Sequence, residues 1–374
     1  MPEHRPAWVE VHLGALLHNL SHLRQHTSGT SVMAVVKANA YGHGLLEVGR
    51  FYERSGVEWL AVALMEEGVA LRRAGIQIPI LVLGGIAPWQ IRWGLEHQLD
   101  LTVGSIEVLQ AVEAAAGALG KTAAVHLKLD TGMERVGIRA EESGPLIEAA
   151  LRSASVEVRG VYSHLACADD PEHPMTSWQI ERFLQACQQW EHLGEPLPMR
   201  HLANSGGVLH FPESHLDCVR AGIMLYGILP DPQSRSPFPL QPALSLKAEV
   251  SFSKKIPSGA SVSYGASWVA PEATHLATVP LGYGDGYRRG FSNQATILFG
   301  EQAVPVRWRV CMDQFIIHTG TEKALLGETV TLIGAMGAER IRVEDLAQMS
   351  GTIPYEILTG LNERLPRIYL QDAL

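Results

Sequence analysis

The sequence predicts an α/β protein: an eight-stranded parallel β/α barrel followed by a mainly β C-terminal domain. Three observations carry that reading. Between residue 13 and about residue 223, short apolar runs alternate with longer segments of helical period. The apolar runs number eight, as a closed parallel barrel requires and an open doubly wound sheet does not. After a proline-rich, turn-forming stretch at 230–237, the alternation gives way to short β runs with turn signals about every ten residues. The expected domains are therefore a barrel over 1–233 and a β domain over 234–374.

Taken in order, the barrel strands are expected at 32–37, 59–63, 78–84, 101–103, 124–130, 156–165, 199–204 and 218–222. Helices are expected between them at 45–54, 66–74, 106–119, 146–152 and 177–193, each with apolar residues three and four apart. In the second domain the β runs are 243–254, 261–264, 275–280, 295–298, 304–311, 315–318 and 329–333, closed by helices at 343–349 and 355–361.

Composition narrows the function classes. At 374 residues the chain has room for two domains of about 150 residues or more. Its 30 basic against 39 acidic residues leave a net charge of -9, and no basic cluster appears, which argues against a nucleic-acid partner. No segment approaches the roughly 18 apolar residues of a membrane span, and the N-terminal residues lack an apolar leader, so a cytoplasmic protein is expected. The four cysteines have no paired spacing, which speaks against a disulfide framework or a zinc site.

The chemistry is expected where strands end, because a β/α barrel gathers the carboxyl ends of its strands at one mouth. Lys37 ends an apolar run that begins at Val32, and burial there lowers a lysine's pKa and frees the amine for a Schiff base. A snorkelling lysine is the bland alternative, but Tyr41, Gly42 and Gly44 follow as a phosphate-side turn would. Further along, Lys128, Asp130 and Arg135 follow the fifth run, His164 the sixth, Asn204 and Ser205 the seventh, and Arg220, Gly222 and Ile223 the eighth. The segment from His201 to Gly207 reads either as a phosphate nest or as a strand-to-helix turn with Ser205 as N-cap. The glycine-rich run 281–287 lacks the Gly-Lys-Ser/Thr ending of a nucleotide loop and reads as a structural or gating loop.

Together, the segments 35–44, 127–136, 162–166, 201–207, 220–227, 263–265, 282–287 and 311–313 resemble the alanine racemases, in order and over nearly the whole chain. That resemblance implies pyridoxal 5'-phosphate as cofactor and a small amino acid as substrate, with D-alanine supplied to bacterial peptidoglycan. It implies that Lys37 carries the cofactor and serves as base toward the D-enantiomer, while Tyr264 of a partner subunit serves the L-enantiomer, making the working unit a homodimer with shared active sites. Arg220 and His164 match the family's charged pair at the cofactor ring. Tyr41, Ser205, Gly222, Ile223 and Tyr355 match its phosphate contacts, with Asn204 beside them. Arg135 is expected to orient Tyr264 and the substrate carboxylate, and Lys128 to be a carbamate that holds Arg135. Met312 and Asp313 are expected near the carboxylate, and Tyr283 at the substrate gate; core packing is the alternative for Met312. One departure stands out: Trp308 occupies a position that is usually glycine in the family, and its ring is expected to shift the strand bearing Met312 and Asp313.

Three rivals share parts of this pattern. A racemase acting on serine or on a wider range of amino acids has the same fold, although Tyr355 at the pocket wall favours a small side chain. A barrel-type decarboxylase of basic amino acids would set an acidic residue where Arg220 stands. A non-catalytic carrier of the cofactor would have no use for the second domain or Tyr264.

Overall fold

A computed structural model describes residues 5–371 of the chain, apart from Pro232, Ser267 and Glu301. The chain forms two compact units. One comprises Leu17–Ala40 and Gly44–Gln241; the other comprises the described residues of Met1–Leu16, Tyr41–His43 and Pro242–Leu374. The barrel belongs to the first. The first strand of the chain, β1 (Ala7–His12), belongs to the second.

The barrel strands are β2 (Ser31–Val35), β3 (Trp59–Val62), β4 (Ile80–Val82), β5 (Asp100–Val103), β6 (Ala123–Asp130), β8 (Val156–Tyr162), β9 (Met199–His201) and β10 (Cys218–Ala221); the two-residue β7 (Ile138–Arg139) adds to β6. All are parallel, and pairing of β5 with β6 (Leu101 opposite Val125) closes the ring. Strands buried on both faces read as continuous apolar runs rather than alternating ones. That is how β2 (Ser-Val-Met-Ala-Val) and β4 (Ile-Leu-Val) appear in the sequence. The expected strands at 78–84 and 199–204 are shorter in the structure, at Ile80–Val82 and Met199–His201, the second giving way to the turn that carries Asn204 and Ser205.

Helices fill the intervals where periodicity places them, and their ends follow capping chemistry. In Ile106–Leu119, the Ser105 side chain accepts from the Val108 amide and Gly120 closes the helix at φ 60. Two long helices, Leu13–His26 and Pro88–Glu96, are absent from the periodicity reading. The signal for the second is Pro88 in the first turn, where proline's missing amide hydrogen costs nothing.

The second unit holds a ten-stranded sheet among the described residues. Its further strands are β11 (Leu244–Glu249), β12 (Phe252–Ile256), β13 (Thr274–Val279), β14 (Thr296–Phe299), β15 (Gln302–Arg307), β16 (Phe315–Gly320), β17 (Thr329–Met336), β18 (Glu339–Ile341) and β19 (Arg367–Leu370). β1 lies between β11, to which it is antiparallel (Val9 opposite Leu246), and β19, to which it is parallel (Val9 opposite Arg367). Ala7–His12, expected in the barrel half, therefore joins the second sheet instead. The reason is pairing: local pattern reveals a buried strand, not which distant strand it will join. The long run at 243–254 breaks into β11 and β12, and the expected strand at 261–264 is a turn carrying Tyr264.

Candidate functional site

On the barrel unit, strand β2 ends and Val36 gives its last sheet-like hydrogen bond to the Ala61 carbonyl (2.9 Å). Lys37 follows at once. The next four residues, Ala38, Asn39, Ala40 and Tyr41, all have left-handed φ angles of 51–56° although none is glycine. Each such residue costs roughly 1–2 kcal/mol against its right-handed alternative, so the turn must be held from outside. Glu67 does part of this, accepting from the Ala38 amide (2.6 Å) and the Ala63 amide (2.9 Å), and the Asn39 side chain accepts from the Leu45 amide (2.8 Å). The turn presents Lys37 half-buried and without a hydrogen bond or ion pair among the described residues. Burial lowers its pKa, and the Arg135 charge lowers it further.

Arg220, from β10, is the most enclosed cation of the unit. Its guanidinium donates to the carbonyls of His201 (2.5 Å), Ser163 (2.6 Å) and Leu202 (3.1 Å), and it meets Nδ1 of His201 (3.0 Å) and of His164 (3.3 Å). No carboxylate ion-pairs with it among the described residues. Burial pulls its pKa down to about 10, which still leaves it charged at neutral pH. Sequence reasoning missed what lies behind it. His201 Nε2 meets His126 Nδ1 (2.8 Å), and His126 Nε2 approaches Asp100 (3.5 Å), which also pairs with Arg159 (3.2 Å). Gly160 makes room for this histidine pair, since a Cβ there would lie 2.3 Å from His126 Nδ1. Tyr162 stacks on His201 (4.7 Å, 9°), with the Lys128 amine and Arg220 over its ring at 4.8 and 5.1 Å.

His164 and His201 have pKa values well below the usual histidine range, and His126 is lowered too, because burial and then, for the first two, the Arg220 charge disfavour the imidazolium. An unfolded chain takes up protons at these histidines from about pH 6.5 downward, while the folded chain does not. Stability is therefore expected to fall as pH drops from about 6.5, by about 1.4 kcal/mol per pH unit for each extra proton bound when unfolded. Urea denaturation between pH 7.5 and 5 checks this; His201→Gln should flatten the slope, and an unchanged slope would disprove the assignment.

Ser205 opens the helix Ser205–His210, and its hydroxyl accepts from the amides of Gly222 (3.1 Å) and Met224 (3.4 Å). The cap of that helix is not Ser205 but Asn204, whose side chain accepts from the Gly207 amide (2.9 Å) and donates to the Leu165 carbonyl. A buried hydroxyl beside backbone amides at Gly222 and Ile223 is a donor set suited to a phosphate. With an unpaired amine at Lys37 and a cation at Arg220, the barrel side fits an aldehyde cofactor bearing a phosphate. Lys128 is buried, touches only the Leu129 carbonyl (3.2 Å) by hydrogen bond, and has its pKa lowered by burial and by Arg220. Asp130, by contrast, is structural: it accepts from the amides of Gly132, Met133 and Arg135.

The second unit gathers another group. Tyr41 packs against Tyr355 (ring centroids 6.0 Å apart), and burial raises the Tyr41 phenol. Gly42 has φ 83 and would place a Cβ 2.2 Å from the Leu358 carbonyl, so only glycine permits this approach. Tyr283 and Gly284 donate to the carbonyls of Cys311 (3.0 Å) and Met312 (2.8 Å), binding two loops together. Arg364 bridges Asp313 (2.6 Å) and buried Asp285 (3.3 Å). Met312 is 54 % exposed, which excludes the core-packing alternative. Tyr264 is 70 % exposed at the tip of the β12–β13 connection, with the Arg309 guanidinium against Gly265. A surface cavity of about 430 Å³ is lined by Tyr283, Gly286, Arg288, Arg289 and Gly360.

Trp308 lies immediately after β15, so the expected shift of a strand does not arise: Met312 and Asp313 sit on the loop between β15 and β16. Its φ is 66, in the region glycine enters freely, and its ring is buried.

Comparison with known proteins matches residues 11–230 to the profile of the alanine racemase N-terminal domain and residues 243–369 to that of the C-terminal domain. The alanine racemase of Symbiobacterium thermophilum is 42% identical over 98% of this chain and 97% of its own length, and that of Desulforamulus reducens 40% identical over 98% and 99%. Among solved structures, the alanine racemase of Streptomyces lavendulae superposes with a TM-score of 0.93 at 37% identity, covering 99% of this chain and 98% of the other. A histidine racemase of Leuconostoc mesenteroides superposes with a TM-score of 0.89 at 33% identity, covering 99% of each.

Proposed function

Because the chain belongs to the alanine racemase family of isomerases, we propose that it interconverts L- and D-alanine, using pyridoxal 5'-phosphate and two bases, Lys37 and Tyr264. The observation that carries the proposal is the Lys37 amine, half-buried, without a hydrogen bond or ion pair among the described residues, and lowered in pKa by burial and then by the Arg135 charge.

When bound, the cofactor supplies the electron sink that makes an amino acid's α-proton removable. Lys37 holds it and offers an amine that is neutral more readily than a solvated lysine, so the same nitrogen can take and return a proton on one face. Ser205 and the amides of Gly222 and Ile223 would receive the phosphate, Asn204 caps the helix that presents Ser205, and Tyr41 and Tyr355 match the family's further phosphate contacts. Arg220 would donate to the cofactor's ring nitrogen without giving up its proton, because even at a pKa of about 10 it remains far more basic than a pyridine. Such a contact would moderate the sink and discourage side reactions. Neutral His164 adds no charge beside Arg220. Tyr264 serves the opposite face from a partner subunit, so the working unit is a homodimer. Arg135 orients the substrate carboxylate, Met312 and Asp313 flank it, and Tyr283 gates access. The product serves bacterial peptidoglycan from the cytoplasm; no helix among the described residues is long and apolar enough to cross a membrane.

Lys128 suits carbamylation, since that reaction needs a neutral amine and yields an anion, which the neighbouring Arg135 and Arg220 charges favour. With isotope-labelled bicarbonate, carbon NMR is expected to show one protein carbamate that disappears in Lys128→Met. A spectrum without that signal removes the role.

The decisive experiment incubates the cofactor-loaded protein with a panel of L-amino acids and follows optical rotation. Loss of rotation from L-alanine, faster than from L-serine or L-histidine, supports the reading. Preference for a larger amino acid would favour the broader racemase, a reading kept open by the likeness to the histidine racemase.

A further inference from the structure

The connection between β12 and β13 carries Tyr264 in an unusual backbone: Ser263, Gly265 and Ala266 all have positive φ, at 61, 79 and 44°. A turn with so many left-handed residues does not keep its shape unaided. Its arms are joined by the Ser261–Val269 bridge and by hydrogen bonds from the Val262 amide to the Trp268 carbonyl (3.2 Å) and from the Ala270 amide to the Ala260 carbonyl (2.9 Å), while the tyrosine at its tip is largely exposed. Beneath these backbone contacts, a small apolar cluster braces its base. Val262 stands two residues before Tyr264 and Trp268 four residues after; both pack with Trp308, alongside Ile256, Ala270 and Leu276. The Trp268 and Trp308 rings meet edge to face, centroids 4.9 Å apart.

Trp308 occupies this place against two local disadvantages. Its φ of 66° is one glycine would adopt without strain, and its buried indole nitrogen has no hydrogen-bond partner among the described residues. The Asn293 side chain fixes its backbone by accepting from the Trp308 amide (2.6 Å). A residue that is disfavoured both in backbone and in polar satisfaction must be offset by the packing of its ring, and that ring meets Trp268 on one arm of the Tyr264 turn and shares a cluster with Val262 on the other.

We infer that Trp308 is a positioning residue for Tyr264, wedging both arms of its turn from below so that the phenol is presented in one orientation. The inference rests on the reading of Tyr264 as the base toward L-alanine. In a chain with glycine at 308 the turn would need another brace.

The test compares Trp308→Gly, Trp308→Phe and Tyr264→Phe as cofactor-loaded enzymes. In Trp308→Gly, amide hydrogen exchange across 260–270 is expected to quicken while the cofactor absorbance stays unchanged, and turnover of L-alanine should fall by about tenfold through misplacement of the phenol. The primary isotope effect with α-deuterated L-alanine should rise and that with α-deuterated D-alanine should not, which general loosening of the fold does not produce. Trp308→Phe, which keeps a ring, should restore most of the rate. Unchanged turnover and isotope effects in Trp308→Gly, with Tyr264→Phe impaired, overturn this inference alone; a fully active Tyr264→Phe overturns the reading of Tyr264 itself. Should Trp308→Gly not fold, Trp268→Leu probes the same stack from the other side, and wild-type isotope effects there refute the bracing.

Discussion

Lys37→Ala is expected to abolish both the yellow colour of the bound cofactor and racemisation, with a rate loss of roughly ten-thousandfold or more. The size follows from two jobs on one nitrogen. The amine anchors the cofactor covalently and moves the proton on its face, and no other lysine of the barrel can replace it: Lys128 is buried over the Tyr162 ring with its amine on the Leu129 carbonyl. Absorbance between 400 and 450 nm, roughly the range of such imines, and optical rotation of L-alanine together check the prediction. Retained activity would overturn the assignment. Loss of activity with full retention of colour would show another lysine to be the anchor.

Tyr264→Phe is expected to keep the colour and lose turnover by roughly a hundred- to ten-thousandfold, the span of one general base. Removing only the hydroxyl leaves the turn and its aromatic face in place, so stability should change little at a side chain that is already 70 % exposed. The loss should appear in kcat for both enantiomers, because the phenol removes the proton from one and returns it to the other. An unchanged rate would exclude the tyrosine as a base.

How far the sequence could be read depended on whether the controlling contacts are local. The barrel was legible because buried parallel strands leave continuous apolar runs, and the site residues because a barrel sends strand ends to one mouth. The left-handed turn after Lys37 was not, since nothing in Ala38, Asn39 and Ala40 advertises positive φ; it is held by Glu67, which is remote in sequence. The same holds for the chain from Arg220 through His201 and His126 to Asp100. Four separate strands bring those side chains together, and the local cue was Gly160, whose missing Cβ makes the space. Asn204 and Ser205 exchanged the expected capping role because both are competent caps and only the backbone decides between them. Trp308 was visible as a departure, but its left-handed backbone and apolar surroundings belong to the fold.

The placement of β1 has a consequence for how the protein is made. Ala7–His12 emerges from the ribosome roughly 230 residues ahead of its first partner, β11, a delay on the order of ten to fifty seconds at usual rates of synthesis. The barrel can close during that wait, while Trp8, Val9 and Val11 remain an orphaned hydrophobic ribbon. That interval is where a chaperone would find its natural foothold on the nascent chain, and where a second copy could be captured by mistake.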